Sequence, residues 1–347
     1  MVDTEDFQQP QSVEPAASPA TEDTGVHPVT RPSRRENRAA QQRRRPRWGI
    51  LASAKSAKKE PKPGQSAPDK PQKAGRNLVA ATGVGAGLLA AYGLTLFLVK
   101  PLFAALCVVT IVACLIEFRH AIRFTDRHLG MPIVVIGGIG IFICAWQVGL
   151  EAMLTATFLT VAAALLWQLA GPYRGEDALK NVTVSTLTVA YIPFLGSFLA
   201  LLAVECGAPA TAVFVLSVTL GSDTGGYFCG RFLGRHHMTP SISPRKTWEG
   251  FAGSVLFAVI VSVAGTFWIG IPWFYGIILG VFMAVVGTLG DLSESLLKRE
   301  LGIKDMGHLL PGHGGLLDRM DSILMTAPVA YIVLKFAIFS QQAPVLS

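Results

Sequence analysis

From Leu78 onward the sequence keeps returning to apolar windows of about 17–25 residues, each long enough to cross a ~30 Å hydrocarbon core as a helix. Nine can be marked, at roughly 78–99, 101–118, 131–149, 151–170, 182–204, 209–229, 250–270, 272–290 and 320–339, with only Lys100-Pro101 between the first two. Composition agrees: 51% of the residues are hydrophobic and 15% are charged, where about a quarter are charged in a typical soluble protein. The expected fold is all-α, a polytopic membrane bundle of about nine transmembrane helices over residues 78–340.

Residues 1–77 read differently. Up to Arg76 they hold 15 of the 30 Lys and Arg and nine of the 23 Asp and Glu, so the formal charge of +7 is mostly a property of this tail. The tail is polar and Pro-rich, and it lacks the apolar core of a cleavable signal peptide. Such a composition buries too little apolar surface to offset the entropy of ordering, so 1–77 is expected to be disordered. Its run "RRENRAAQQRRRPRW" reads better as a juxtamembrane segment drawn to anionic lipid headgroups, at about 1 kcal/mol per well-placed basic residue, than as a nucleic-acid arm. No nucleic-acid partner is expected. The cysteines (Cys107, Cys114, Cys144, Cys206 and Cys229) show no CxxC or metal-type spacing, and read as small apolar residues of helices.

Basic residues in the loops set the orientation. With the tail in the cytoplasm, the loops after the second, fourth, sixth and eighth windows face inside and hold thirteen Lys and Arg. Lys100 is alone in the outer loops, and Lys335 lies late in the last window. The expectation is a multi-pass protein of the inner (cytoplasmic) membrane with its N-terminus inside and its C-terminus outside. The acids show the same bias. Glu249, Asp291, Glu294, Glu300, Asp305, Asp318 and Asp321 belong to the last two cytoplasmic junctions or their rims, and in this half of the chain Glu205 in an outer loop is the exception. Asp223 lies inside the sixth window near its cytoplasmic end. An aspartate within a span costs roughly 2.5–3.5 kcal/mol on insertion scales and usually faces a polar cavity; the plainer alternative is an interfacial helix end.

Three segments carry candidate chemistry. In "GSDTGGYFCGRFLGR" (221–235), Asp223 and Tyr227 lie four apart on one helix face, among glycines that allow close backbone approach. This is not a Walker A loop, and small residues in membrane helices also serve packing. In "SISPRKTWEG" (241–250), Ser-Pro disfavours helix just before Arg245-Lys246, which leaves both bases near the bilayer surface, either as phosphate contacts or as a plain positive-inside loop. Trp248 would anchor at headgroup level. The third runs through "GDLSESLLKRELGIKD" (290–305) to "KDMGHLLPGHGGLLDRMDS" (304–322). Asp291 and Glu294 are three apart, as are Asp318 and Asp321, so each pair projects from one helix face. Two such pairs on neighbouring helices can converge on one or two hard cations, with phosphates and waters completing the shell. Lys298, Arg299, Lys304 and Arg319 would clamp phosphates, and Gly314-Gly315 would admit backbone N–H groups to them. Plainer readings stand beside these. Glu294–Lys298 is also an ordinary i,i+4 surface pair, Glu300 a solvated acid, His308 a loop histidine, and His313 either a turn residue or a phosphate or metal contact. As a set they suggest metal-assisted phosphoryl or nucleotidyl chemistry.

The stretch "SLLKRELGIKDMGHLLPGHGGLLDRMD" (295–321) resembles the signature of the phosphatidate cytidylyltransferase, or CDP-diacylglycerol synthase, family. That pattern runs Ser, Lys-Arg, Lys-Asp, His-Gly-Gly and Asp-Arg-x-Asp, and Ser295, Lys298-Arg299, Lys304-Asp305, His313-Gly314-Gly315, Asp318-Arg319 and Asp321 fit it. Upstream, "SDTGGYFCGR" and "SPRKTWEG" are similar to that family's "SDTxAYxxGR" and "SPxKTxEG", with Gly226 where Ala is common. The specific resemblance covers about 221–321 and the polytopic architecture extends it over 78–340; the tail carries no family motif.

The resemblance implies an enzyme of phospholipid biosynthesis that converts CTP and phosphatidic acid into CDP-diacylglycerol and pyrophosphate, with Mg²⁺ as cofactor and room for a second, monovalent cation. It implies that Asp291 and Asp318 hold the metal centre; Asp321 and Glu294 are expected in support, Lys298 and Arg319 are expected to join the catalytic set as phosphate contacts, and Asp223 to stand on the nucleotide or the metal side. Asp223, Tyr227, Arg245, Lys246, Arg299, Lys304, His313, Gly314 and Gly315 are the expected substrate-binding residues. Anionic lipids beside the tail and a homodimer are compatible with this reading. Two rivals stand. A CTP-dependent lipid alcohol kinase would share the nucleotide site but move the γ-phosphoryl group. A transporter would place ionisable residues at midplane in repeated halves, whereas here the charges gather on one face. A CDP-alcohol phosphotransferase is disfavoured because its DGxxAR-type pattern is absent.

Overall fold

The computed structural model describes residues 74–342 apart from Phe124, Asp126, Ser241, Lys304, His308 and 310–313. The expectations for most of the tail and for Lys304, His308 and His313 lie outside the described residues, as does the side chain of Arg245.

Every apolar window becomes helix. In chain order the helices are α1 (Ala74–Leu98), α2 (Lys100–Ile122), α3 (Met131–Gln147), α4 (Leu150–Ala170), α5 (Gly175–Cys206), α6 (208–233), α7 (Trp248–Ile269), α8 (Trp273–Glu300) and α9 (Leu317–Gln342). Six of them, α2, α4, α5, α7, α8 and α9, are long and apolar enough to cross a membrane. The apolar part of α1 and the whole of α3 are shorter, and α6 is not among the six. The chain is thus a helical membrane protein, with fewer qualifying spans among the described residues than the nine windows suggested. Prolines fix several starts: Pro101, Pro132 and Pro209 sit in the first turns of α2, α3 and α6, where a missing N–H costs nothing.

α5 is central and α4 peripheral, with 67% and 17% of their apolar windows buried. Outward-facing Phe158, Phe232 and Phe267 are all more than two-thirds exposed, as expected where lipid is the solvent. α5 contains a π turn over Ala190–Phe194 around Pro193, since proline lacks the N–H of the regular ladder and crowds the preceding carbonyl. α6 is also π-helical over Ser217–Thr224, with no proline inside the turn, and Thr224 Oγ1 donates to the carbonyl of Thr219, five residues back, at 2.9 Å.

α7 packs against both α6 and α8. The approach is backbone to backbone: a Cβ on Gly221 would meet Ala258 Cα at 2.6 Å, and one on Gly280 would meet Val259 Cα at 2.4 Å. Between α6 and α7 the chain forms a small antiparallel hairpin, β1 (His237–Thr239) and β2 (Ser243–Thr247). Residues 241–250, read from sequence as a loop, are therefore partly strand. α8 has 28 residues, a length of about 42 Å and so some 12 Å more than a ~30 Å core needs. The surplus carries Asp291 to Glu300.

Candidate active site

Four helices, α6 to α9, and the hairpin build a single cleft. The π turn of α6 brings Asp223 to its mouth, and the carbonyl of the neighbouring Ser222 accepts from Ser254 Oγ of α7 at 2.8 Å. That bond uses a carbonyl within the irregular turn and ties α6 to α7. The hairpin is clamped at its base by Glu249. One carboxylate oxygen accepts from the backbone N–H of Arg235 and His236 at 3.1 and 3.2 Å, and the other lies 2.6 Å from His236 Nδ1. Thr247 then caps α7, its hydroxyl accepting from the Gly250 N–H at 3.1 Å. Lys246, the residue before the cap, is thereby aimed at α8, where its ammonium lies 2.5 Å from Asp291 Oδ2.

On α8, Asp291 and Glu294 diverge. Asp291 faces the cleft with its side chain 43% exposed, whereas Glu294 is buried against Lys298, 2.8 Å away. The ammonium of Lys298 also reaches Asp318 Oδ1 at 2.7 Å. The i,i+4 pair is real, but it is a buried strut between α8 and α9 rather than surface decoration. Asp318 is held further. The N–H of Met306 donates to both its oxygens at 3.1 Å, and that of Gly315 donates to Oδ2 at 2.8 Å. Gly314 takes φ +82°, a left-handed conformation that favours glycine. The described amide of the Gly-Gly pair thus serves Asp318.

The cleft has a volume of about 400 Å³, within the range of small-molecule sites. Asp223 and Tyr227 line it from α6, Lys246 from the hairpin, Asp291 from α8, and Asp318, Arg319 and Asp321 from α9. Glu294 and Lys298 stand behind this wall, and Arg299 is exposed away from it. Reasoning from sequence missed two groups. One is the set of hydroxyls of Ser222, Ser254, Thr288 and Ser322 at the wall. The other is Glu117 of α2, which accepts from the N–H of Leu317 at 2.9 Å, 200 residues away in sequence. Its only signal was to be the single acid in the window 101–118.

Four carboxylates facing one cavity beside Lys246 and Arg319 would repel a polyphosphate unless further positive charge arrives. At 4 Å, a like-charge pair costs about 4 kcal/mol at an effective dielectric of 20. The donors are hard oxygens. Among the described residues no three acidic, His or Cys side chains form a ready cage for a metal ion. Mg²⁺ seldom uses such a cage; it takes one or two carboxylates and completes its shell with phosphates and water. The donor set fits that cation.

The model of the cytidylyltransferase family matches residues 79–337, from α1 to α9. The chain belongs to the cytidylyltransferase family. As a member it is a nucleotidyltransferase, and an enzyme of the membrane. It is 35% identical over 280 residues to the phosphatidate cytidylyltransferase of Mycobacterium bovis, covering 76% of this chain and 90% of that one. It is 34% identical over 279 residues to the phosphatidate cytidylyltransferase of Mycobacterium leprae, covering 76% and 89%. With the Bacillus subtilis protein of the same name the identity rises to 44% over 133 residues, 38% of this chain and 49% of that one. The matched span in the family begins after the basic tail, so family membership is carried by the helical bundle.

Proposed function

We infer that this cytidylyltransferase acts on phosphatidic acid, joining its phosphate to the cytidylyl group of CTP to give CDP-diacylglycerol and pyrophosphate. The observation that carries the reading is the cleft, where Asp223, Asp291, Asp318 and Asp321 share one cavity with Lys246 and Arg319 in an otherwise apolar bundle.

The reaction asks for positioning and charge neutralisation more than proton transfer. A phosphate oxygen of phosphatidate attacks the α-phosphorus of CTP. As that P–O bond forms, the bond from the α-phosphorus to the bridging oxygen breaks, and its electron pair leaves with pyrophosphate. The nucleophile is already anionic, so no strong general base is required. Lys246 and Arg319 offset the phosphate charge, and fixed charges in a cleft act without reorganising as the reaction proceeds. Tyr227, 62% exposed at the cleft edge, offers a ring and a hydroxyl to the nucleotide or the lipid headgroup. Mg²⁺, held by Asp291 and Asp318 with Asp321 in support, would supply the divalent charge that neutralises the transferring and leaving phosphates. Glu294 supports this set from behind, through Lys298.

A cytosolic nucleotide and a bilayer lipid meet only at the headgroup plane. The reading therefore puts the cleft at the cytoplasmic face, with about nine crossings, the N-terminus inside, the C-terminus outside and the basic tail against anionic lipid.

The test is product analysis with purified protein, phosphatidate, and CTP labelled at the α or the γ phosphate. Magnesium-dependent transfer of the α label into lipid, with the γ label released as pyrophosphate, is the expected result. Transfer of the γ label to a lipid alcohol, with release of CDP, would instead identify a kinase.

A further inference from the structure

We propose that Glu117 of α2 is a positioning residue that sets the Gly-rich loop before α9 and, through it, the carboxylate of Asp318. Glu117 is 3% exposed. Its Oε2 accepts from the N–H of Leu317 at 2.9 Å, the first residue of α9 and the one before Asp318. Its Oε1 is buried and has no hydrogen-bond partner among the described residues. A buried carboxylate left partly unsatisfied is costly, and a glutamine there would keep the same acceptor without the charge.

Two glycines of the loop, Gly307 and Gly315, lie against this carboxylate. A Cβ on Gly307 would come within 2.5 Å of Glu117 Cδ, and one on Gly315 within 2.9 Å of Glu117 Oε2 and 2.9 Å of Asp318 Oδ2. Gly315 is thus pinched between the two carboxylates. On one side, Asp318 binds the N–H groups of Met306 and Gly315; on the other, Glu117 binds that of Leu317. Two acids on helices distant in sequence hold consecutive parts of one loop by its amides. Glu117 does not line the cleft, so it acts through Asp318 rather than on substrate. A misplacement of about 1 Å at a reacting group can cost on the order of 10²-fold in rate, which gives such a joint its leverage.

This inference rests on the proposed reaction for its kinetic arm only. The experiment uses the full chain in lipid nanodiscs with Glu117→Gln, Glu117→Asp and Glu117→Ala. Amide hydrogen exchange of the loop is followed at Met306, Gly315 and Leu317 without nucleotide or metal, and kcat and KM for CTP are measured in parallel. Glu117→Gln keeps the acceptor and should stay within about threefold of wild type in kcat, with the loop protected. Glu117→Ala removes the acceptor and Glu117→Asp withdraws it by about one bond length. Both should speed exchange in the loop and lower kcat about tenfold or more, with KM nearly unchanged. In an Asp318→Asn background, Glu117→Ala should add little further loss. If the Ala variant does not accumulate, the Asp and Gln variants carry the comparison. Unchanged exchange in Glu117→Asp, or a Gln variant as impaired as it, would overturn the proposal. So would a loss from Glu117→Ala that multiplies with that of Asp318→Asn. Absence of CDP-diacylglycerol from wild type would refute the function alone, because the exchange arm needs no substrate.

Discussion

Asp291 and Asp318 differ in what already holds them. Asp291 is half exposed and, among the described residues, pairs with Lys246, whereas Asp318 is fastened by Lys298 and the N–H groups of Met306 and Gly315. Asp291→Asn should therefore lower transfer by about 10²-fold, the scale of removing one preorganised stabilising group, and leave thermal stability near wild type. Asp318→Asn should lower transfer at least as far and also lower Tm, because its amide NH₂ would replace one oxygen and face the Met306 N–H together with either the Lys298 ammonium or the Gly315 N–H. The double variant should be little worse than the weaker single, since residues sharing one centre act as a unit. Kinetics and melting curves on the four proteins check both points, and multiplicative losses would argue for separate roles. The sequence makes Asp291, Asp318 and Lys298 visible as candidates, but not this division. Glu117 was illegible as a partner because its hydrogen bond spans the chain and no local pattern encodes it.

At the scale of elements, the α6–α7 seam decides where Asp223 stands. Gly221, within the π turn, lets the two backbones touch, and the turn is tied to α7 through Ser222 and Ser254. Gly221→Ala should cost about 1–3 kcal/mol through overpacking and lower the Tm of the solubilised protein. Gly140→Ala, where nothing lies within 4 Å of the added Cβ, should cost no stability. Equal melting of the two variants would mean that the seam is compliant. Helices were legible as elements because a long apolar window is a length signal that needs no tertiary information. The π turns and the hairpin were not, because packing across helices selects them. "SISPRKTWEG" announces a break in helix at Ser-Pro, yet the strand pairing of β2 depends on residues 237–239. Likewise, the glycines of 314–315 were legible as a site of close approach, but what approaches the Gly315 amide is a carboxylate of the same chain.

At the scale of the whole molecule, the proposed orientation rests on the charge bias of the loops. In a cysteine-free background, single cysteines at 235 and 305 should react with an impermeant thiol reagent from the cytoplasmic side, and one at 341 only from outside. External labelling at 305 would remove the cleft from the cytosolic nucleotide. The family match begins at residue 79, so deleting residues 1–70 should leave specific activity of the inserted enzyme within a few-fold. Complete loss with normal insertion would mean that the tail contributes to the site. The most direct measurement is the fate of the α-phosphate of CTP in wild type and Asp291→Asn, assayed side by side with phosphatidate across a Mg²⁺ titration. Wild type should move the α label into lipid with one pyrophosphate released per transfer, and Asp291→Asn should do so about 10²-fold more slowly at matched protein levels. Lipid that stays free of α label, or an Asp291→Asn enzyme with wild-type rate and metal dependence, would contradict the assignment of this chemistry to this cleft.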